Sequence, residues 1–235
     1  MSLNFSDNSL PPHFSGIVRL FPLPNLVLFP GVVQALHIFE PRYRKMTEDA
    51  LAADNLISVC LYKGEAQEEW LLDEASPAVH QTICIGKVVA NKELEDGRFN
   101  LIIAGVKRAK ILRELAIDQP YRMAEVQLIE DVVATDTNEV YEMRKELLEA
   151  CKSSGLLDKL TANKEFKKII GNDLSLGLLV DLVAFVANID CLQRQRILEI
   201  DDVNIRCKQL VEFLFQSDGF REPQDDSFPP NFSDN

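Results

Sequence analysis

Residues 21–31 read Phe21-Pro22-Leu23-Pro24-Asn25-Leu26-Val27-Leu28-Phe29-Pro30-Gly31. Prolines bracket an apolar run in this stretch. Proline fixes φ and removes a backbone donor, so Pro22-Leu23-Pro24-Asn25 closes a short strand over residues 17–21. Pro30-Gly31 then ends the apolar run Leu26–Phe29 with a tight turn. Beyond it, residues 32–39 alternate as a second strand. Val33, Ala35 and His37 lie on one side; Val32, Gln34, Leu36 and Ile38 lie on the other. Short strands punctuated by turns therefore open the chain.

Working outward, Glu40-Pro41 starts a helix, because proline suits the first helical position. Tyr43, Met46, Thr47, Ala50 and Leu51 then fall at helical spacing on one face, and Phe39, Tyr43 and Met46 suit a core at the strand–helix junction. Lys45–Asp49 and Arg44–Glu48 at i,i+4 offset the cations near the helix start. Residues 56–62 are β-rich, and 63–77 form a long, acidic connection. Runs at 82–94 and 99–112 flank Glu95-Asp96-Gly97-Arg98, a strong hairpin signal. Residues 121–129 alternate as a further strand. Near residue 132 the period changes to that of helices: 138–153 ending near Gly155, a further short helix within 156–170, a break at Gly171-Asn172-Asp173, a helix apolar on nearly all sides over 174–186, and a last helix capped by Asp201 or Asp202. Strands first and helices second indicate an α+β chain. The expected divisions are a tail over 1–13, a β-barrel subdomain over 14–131 with one short helix, a helical bundle over 132–217, and a tail over 218–235.

The stretch 21–31 resembles the opening of the Lon protease N-terminal domain family. Ile38-Phe39-Glu40-Pro41-Arg42-Tyr43 is similar to its continuation in stand-alone members. Ile85-Gly86-Lys87-Val88, Asp96-Gly97-Arg98 and Ile103-Ala104-Gly105-Val106-Lys107-Arg108 match its glycine-spaced hairpin. Residues 179–185 and 193–199 resemble its C-terminal bundle. The resemblance runs over about residues 16–215 and rests on motif order and spacing. It implies an N-terminal PUA-like antiparallel β-barrel followed by a C-terminal helical bundle, and a role in substrate recognition linked to ATP-dependent proteolysis. Pro22, Pro30, Gly31, Glu40, Pro41, Arg42, Gly86, Gly97, Gly105 and Arg108 are the fold-specifying positions. Two of these glycines, Gly86 and Gly105, suit a bulge or a close backbone approach in a curved sheet.

Composition narrows the function further. The chain has 235 residues and a net charge of −12. Residues 14–131 and 132–217 contribute −4 and −3, and the tails −5. Such a field opposes phosphate binding, and Arg42-x-Arg44-Lys45 and Lys107-Arg108-x-Lys110 are short basic clusters, which more commonly form a solvated face. Nucleic acid is therefore disfavoured, although PUA-like folds include RNA binders. Cys60, Cys84, Cys151, Cys191 and Cys207 are scattered, which fits reduced thiols in a cytoplasmic protein. No apolar run is long enough for a membrane span, and the N-terminus lacks a secretory pattern.

No phosphate-cradling G-x-x-x-x-G-K-[ST] loop is present, and no Cys, Ser or His motif suggests a nucleophile with its base. The chain is expected to lack the ATPase and Ser–Lys protease parts of Lon, and to be no enzyme. No cofactor is expected. Glu65, Glu68, Glu69, Asp73 and Glu74 lack the spacing of a calcium loop, so no metal site is expected either. Within that acidic loop, Trp70-Leu71-Leu72 forms an apolar island. It suits either a recognition surface or a lid packed on the barrel. Trp70, Leu71, Leu72, Phe39 and Tyr43 are the candidate partner-binding residues. The expected partners are unfolded or hydrophobic protein segments. The alternatives are an adaptor docking on a full-length Lon protease, and RNA binding through the barrel.

Overall fold

The structure is a computed structural model and describes residues 9–64, 77–134, 136–157 and 174–216. Trp70, Leu71, Leu72, the acidic cluster, residues 158–173, and 1–8 and 217–235 of the tails lie outside the described residues. The chain divides into two units, Met1–Ile129 and Glu130–Asn235.

The first unit holds strands β1 (Ile17–Leu23), β2 (Val33–Ile38), β3 (Leu56–Leu61), β4 (Thr82–Glu93), β5 (Phe99–Glu114) and β6 (Met123–Leu128), with helix α1 (Pro41–Leu51) after β2. Their order is β2-β5-β4-β3-β1-β6, and β6 also pairs with β5. That last pairing closes β5, β4, β3, β1 and β6 on themselves and, among the described residues, leaves β2 attached to β5 alone. The long strand β5 makes this possible: its first half pairs with β2 and its second half with β6. Inside sit Val18, Leu20, Leu56, Cys60, Ile83, Ile85, Ala109, Ile111, Ala124 and Val126. Every residue of β3 is buried.

One pairing departs from the expected antiparallel barrel. β1 runs parallel to β3, with Leu20 opposite Ser58 and Leu23 opposite Leu61. The segment between them, containing β2 and α1, is a crossover long enough to bring the chain back in the same direction. β1 also runs through Pro22 instead of stopping at Phe21. The Leu23 carbonyl accepts from Tyr62 N at 3.1 Å, so Leu23 faces β3 and Pro22 faces the opposite side. There the last bond is Leu20 N to Arg122 O at 2.9 Å, two residues earlier, so the missing N–H breaks no ladder bond.

The run Leu26–Phe29 is not a strand, yet Val27, Leu28 and Phe29 are buried. It crosses the sheet where Gly86 of β4 opposes Gly105 of β5. A Cβ on Gly105 would sit 2.0 Å from the Phe29 carbonyl oxygen, and one on Gly86 would sit 3.2 Å from Leu28 Cδ2. The register shifts at this pair, since Ile85 opposes Lys107 and Gly86 opposes Gly105, leaving Val106 as the extra residue. Gly31, at φ +74°, turns the chain so that its N–H reaches the Gly105 carbonyl at 2.9 Å, and Gly105 N donates to Val32 O at 2.8 Å.

In the second unit, α2 (Thr137–Ser153), α3 (Leu176–Val186), α4 (Cys191–Glu199) and α5 (Val203–Gln216) pack together, with α5 against the other three. Asp136 caps α2, Ser175 caps α3, and Asp202 accepts from Asn204 N and Ile205 N at the start of α5. α3 is buried almost all round, as its composition suggests. α4 is legible only from Asp190 and Gln193, which form a reciprocal capping box. Arg206, fully buried, donates to Asp131 at 3.1 and 2.9 Å and faces buried Asp181 at 3.5 Å. Burial disfavours the guanidinium charge, but Asp181 and Asp131 outweigh it and raise the Arg206 pKa. Gly177 gives Asp131 room, because a Cβ there would lie 2.5 Å from Asp131 Oδ2.

None of the five cysteines forms a disulfide. Burial pushes the thiols of Cys60, Cys151 and Cys207 up to about 12. Only the thiolate alkylates readily. In native protein at pH 8, iodoacetamide is expected to label half-exposed Cys191 first, and buried Cys60, Cys84, Cys151 and Cys207 only on unfolding; peptide mass mapping over time checks this.

Candidate functional site

Of the sequence-derived candidates, Phe39 is exposed and Tyr43 is not. Phe39 is 59% accessible, while Tyr43 is 5% accessible. The reason lies at Glu40, whose extended backbone (φ −67°, ψ 134°) precedes the first helical turn. An apolar stripe aligns only residues inside the helix. Tyr43 and Met46 are therefore buried, while Phe39 lies outside their alignment. The Tyr43 ring meets Phe21 edge-on at 4.7 Å, and Arg42 lies over its face at 4.7 Å. Burial, and then the neighbouring Tyr62, keep the Tyr43 hydroxyl protonated well above its ordinary range. Tyr43 therefore supports the surface from beneath.

Phe39 stacks on His37 at 6.2 Å with planes 24° apart. His37 Nδ1 lies 2.7 Å from Asn100 Oδ1, and Arg98 Nη1 lies 3.2 Å from His37 Nε2. These contacts fit one neutral tautomer, with Nδ1–H donating to the Asn100 oxygen and Nε2 accepting from Arg98. Strand pairing explains the meeting, because His37 opposes Asn100 across β2 and β5.

The β4–β5 hairpin completes the border. Gly97 N donates to Leu94 O and Leu94 N donates to Arg98 O, both at 2.8 Å. Gly97 takes φ +76°, so this is a three-residue loop with glycine in the left-handed position. Asp96 accepts from Arg98 N at 3.1 Å and Arg98 Nε at 2.6 Å. Those bonds, the backbone one foremost, hold its carboxyl below the usual range. The Arg44 guanidinium covers Gly97 and would lie 2.0 Å from a Cβ there. Arg42 is held by Glu40 at 3.0 and 2.7 Å, and Lys45 by Asp49 at 2.7 Å. The result is an exposed aromatic at the end of β2, rimmed by paired charges. Such a rim beside an apolar centre suits protein contact better than phosphate binding, because Arg42 and Arg98 each face a carboxylate.

Eight of the ten fold-specifying candidates fall into two groups. Pro30, Gly31, Gly86 and Gly105 meet where the chain crosses β4 and β5; Glu40, Pro41, Arg42 and Gly97 border Phe39. Pro22 lies within β1, and Arg108 is buried in β5 at 2% exposure. His37, Asn100 and Arg98 escape a linear reading, because their association needs the β2–β5 register. Among the described residues no cluster of three His, Cys, Asp or Glu side chains is arranged to hold a metal ion, and no helix is long and apolar enough to cross a membrane.

A family model described as the ATP-dependent protease La (LON) substrate-binding domain matches residues 17–216. The Lon protease of Aquifex aeolicus is 29% identical over 210 residues, covering 86% of this chain and 25% of that protein. That of Dictyoglomus thermophilum is 25% identical over 202 residues, covering 84% and 24%. The chain thus spans about a quarter of the length of these curated relatives. The crystal structure of a Lon N-terminal domain protein from Xanthomonas campestris has a TM-score of 0.58 at 22% identity, covering 84% of this chain and 98% of that one. The N-terminal domain of the Mycobacterium avium complex Lon protease has a TM-score of 0.62 at 18% identity, covering 85% and 98%. These two likenesses establish a shared fold.

Proposed function

The chain belongs to the Lon substrate-binding domain family, and from that premise we propose that it is a non-catalytic module that binds unfolded or hydrophobic segments of client proteins. The observation that carries this reading is the family match across residues 17–216, which spans both the sheet and the helices. Exposed Phe39, with its border of paired charges, supplies a surface of suitable chemistry. Trp70, Leu71 and Leu72 remain proposed contacts of the same kind. A cytoplasmic setting is part of the same proposal, resting on five cysteines scattered through the sequence with no disulfide-frame spacing.

The test is fluorescence anisotropy with a labelled, permanently unfolded polypeptide and, in parallel, a labelled single-stranded RNA, at two salt concentrations. Saturable, salt-tolerant binding to the polypeptide is expected. Phe39→Ser should weaken it about tenfold, the loss of one modest aromatic anchor. Trp70→Ala and Leu72→Asp examine the acidic loop in the same assay. RNA binding alone, steep in salt, would replace this reading with the nucleic-acid alternative. Binding to neither would direct the search to docking on a full-length Lon protease.

A further inference from the structure

Strand β2 has β5 on one side and, among the described residues, no strand on the other. Antiparallel pairs alternate, so successive residues point their main-chain groups toward and away from the partner. The phase is fixed by Gly105 N, which donates to Val32 O at 2.8 Å, with Val33 next in register opposite Ala104. Gln34, Leu36 and Ile38 therefore face β5, while Val33, Ala35 and His37 turn their N–H and C=O groups outward. Two contacts agree. The Ala35 carbonyl accepts from the side-chain amide of its neighbour Gln34 at 2.9 Å, as an outward carbonyl can. His37 and Asn100 touch through their side chains, as in the closer, non-hydrogen-bonded type of pair.

The composition of this edge is unusual. Exposed edges are normally blunted by lysine, proline, other charges or a bulge, which prevents pairing with foreign chains. Val33-Gln34-Ala35-Leu36-His37-Ile38 contains no proline and no Lys, Arg, Asp or Glu. Its register against β5 is unbroken over all six residues. The Gln34 amide covers one outward carbonyl and can rotate away. Exposed Phe39 follows directly at the strand's end.

We infer that β2 is a docking edge on which an extended segment of an unfolded client polypeptide adds as a further strand. The inference rests on the client-binding reading and supplies its mode. The outward N–H groups recur every second residue, about 6.8 Å apart, which matches the alternate carbonyls of another strand and no compact ligand. Main-chain pairing is indifferent to client sequence. Phe39 and His37 would add a preference for an apolar residue at one end.

The probe is a labelled ten-residue synthetic peptide of alternating valine and threonine with one phenylalanine to fix its register, titrated against the full chain. Two further peptides are N-methylated at alternate residues, one at even and one at odd positions. A strand added to an edge spends only alternate N–H groups on it. One methylated peptide should therefore lose at least about tenfold in affinity while the other keeps it. Ala35→Pro, which removes an outward N–H that β5 does not use, should also weaken the unmodified peptide about tenfold, with circular dichroism confirming the fold. Equal binding of both methylated peptides would overturn the docking edge while leaving the client-binding reading intact. No binding of either the unmodified peptide or the unfolded polypeptide would remove both. A dimer in sedimentation that Ala35→Pro dissolves would assign the edge to a second copy and overturn the proposal. The peptide arms need no protein variant, so they decide the matter even if Ala35→Pro fails to fold.

Discussion

Gly105→Ala is expected to destabilise the first unit by about 3 kcal/mol, the upper part of the range for forcing atoms into a packed interior. The added Cβ would lie 2.0 Å from Phe29 O and 2.8 Å from Phe29 C. Both are backbone atoms, so no side-chain rotation relieves the clash. The local backbone is also pinned, by Gly31 N to Gly105 O and by Gly105 N to Val32 O. Gly155→Ala is the matching control. Gly155 has φ +70° and open space around its Cβ position, so only backbone strain of about 1 kcal/mol is expected. Urea unfolding followed by circular dichroism separates the two. Equal midpoints for Gly105→Ala and wild type would show that the Leu26–Phe29 crossing is not held as described.

The second large effect is expected at Arg206. Arg206→Met should cost about 3–5 kcal/mol, because it strips the buried Asp181 carboxylate of its facing cation. Asp181 is only 2% exposed, whereas the Asp131 side chain is 35% exposed and keeps some contact with water. The penalty therefore falls chiefly on Asp181. Arg206→Met combined with Asp181→Leu should recover most of the loss, since apolar replacements of a whole buried ion group are often neutral. A double-mutant cycle on urea midpoints measures the coupling. Additive losses would mean that the 3.5 Å pair contributes nothing specific.

The fold was legible wherever local chemistry determines the backbone. Asp96-Gly97 marks its hairpin because the loop needs a left-handed residue, and Gly97 supplies it. α1 is announced by Pro41, and α3 by its unbroken apolar composition. Long-range choices were not legible. The parallel β1–β3 pair depends on which strands become neighbours, and no residue in β1 encodes that. Strand β1 passes through Pro22 because its missing donor faces a side where β6 no longer pairs, a circumstance of tertiary structure. Leu26–Phe29 has the apolarity of a strand but spends it across a glycine pair. At the candidate site, Phe39 was legible as a residue of interest, whereas its exposure depends on the turn at Glu40. The unguarded edge of β2 was written in its composition, but only the sheet order identifies β2 as an edge.

The closed sheet also constrains how the chain can fold as it is made. Ile17 and Arg19 pair with Glu125 and Met123, so the first strand waits for the sixth. On a ribosome, β4 and β5 can form their hairpin soon after emergence, since their contacts are local. β1, by contrast, has neither parallel nor antiparallel partner at first: β3 arrives after some forty residues and β6 after some hundred more than β1 itself. A nascent chain stalled before residue 123 would therefore hold a sheet with an unsealed seam. Until β6 closes it, the backbone of that seam is open to pairing with other chains.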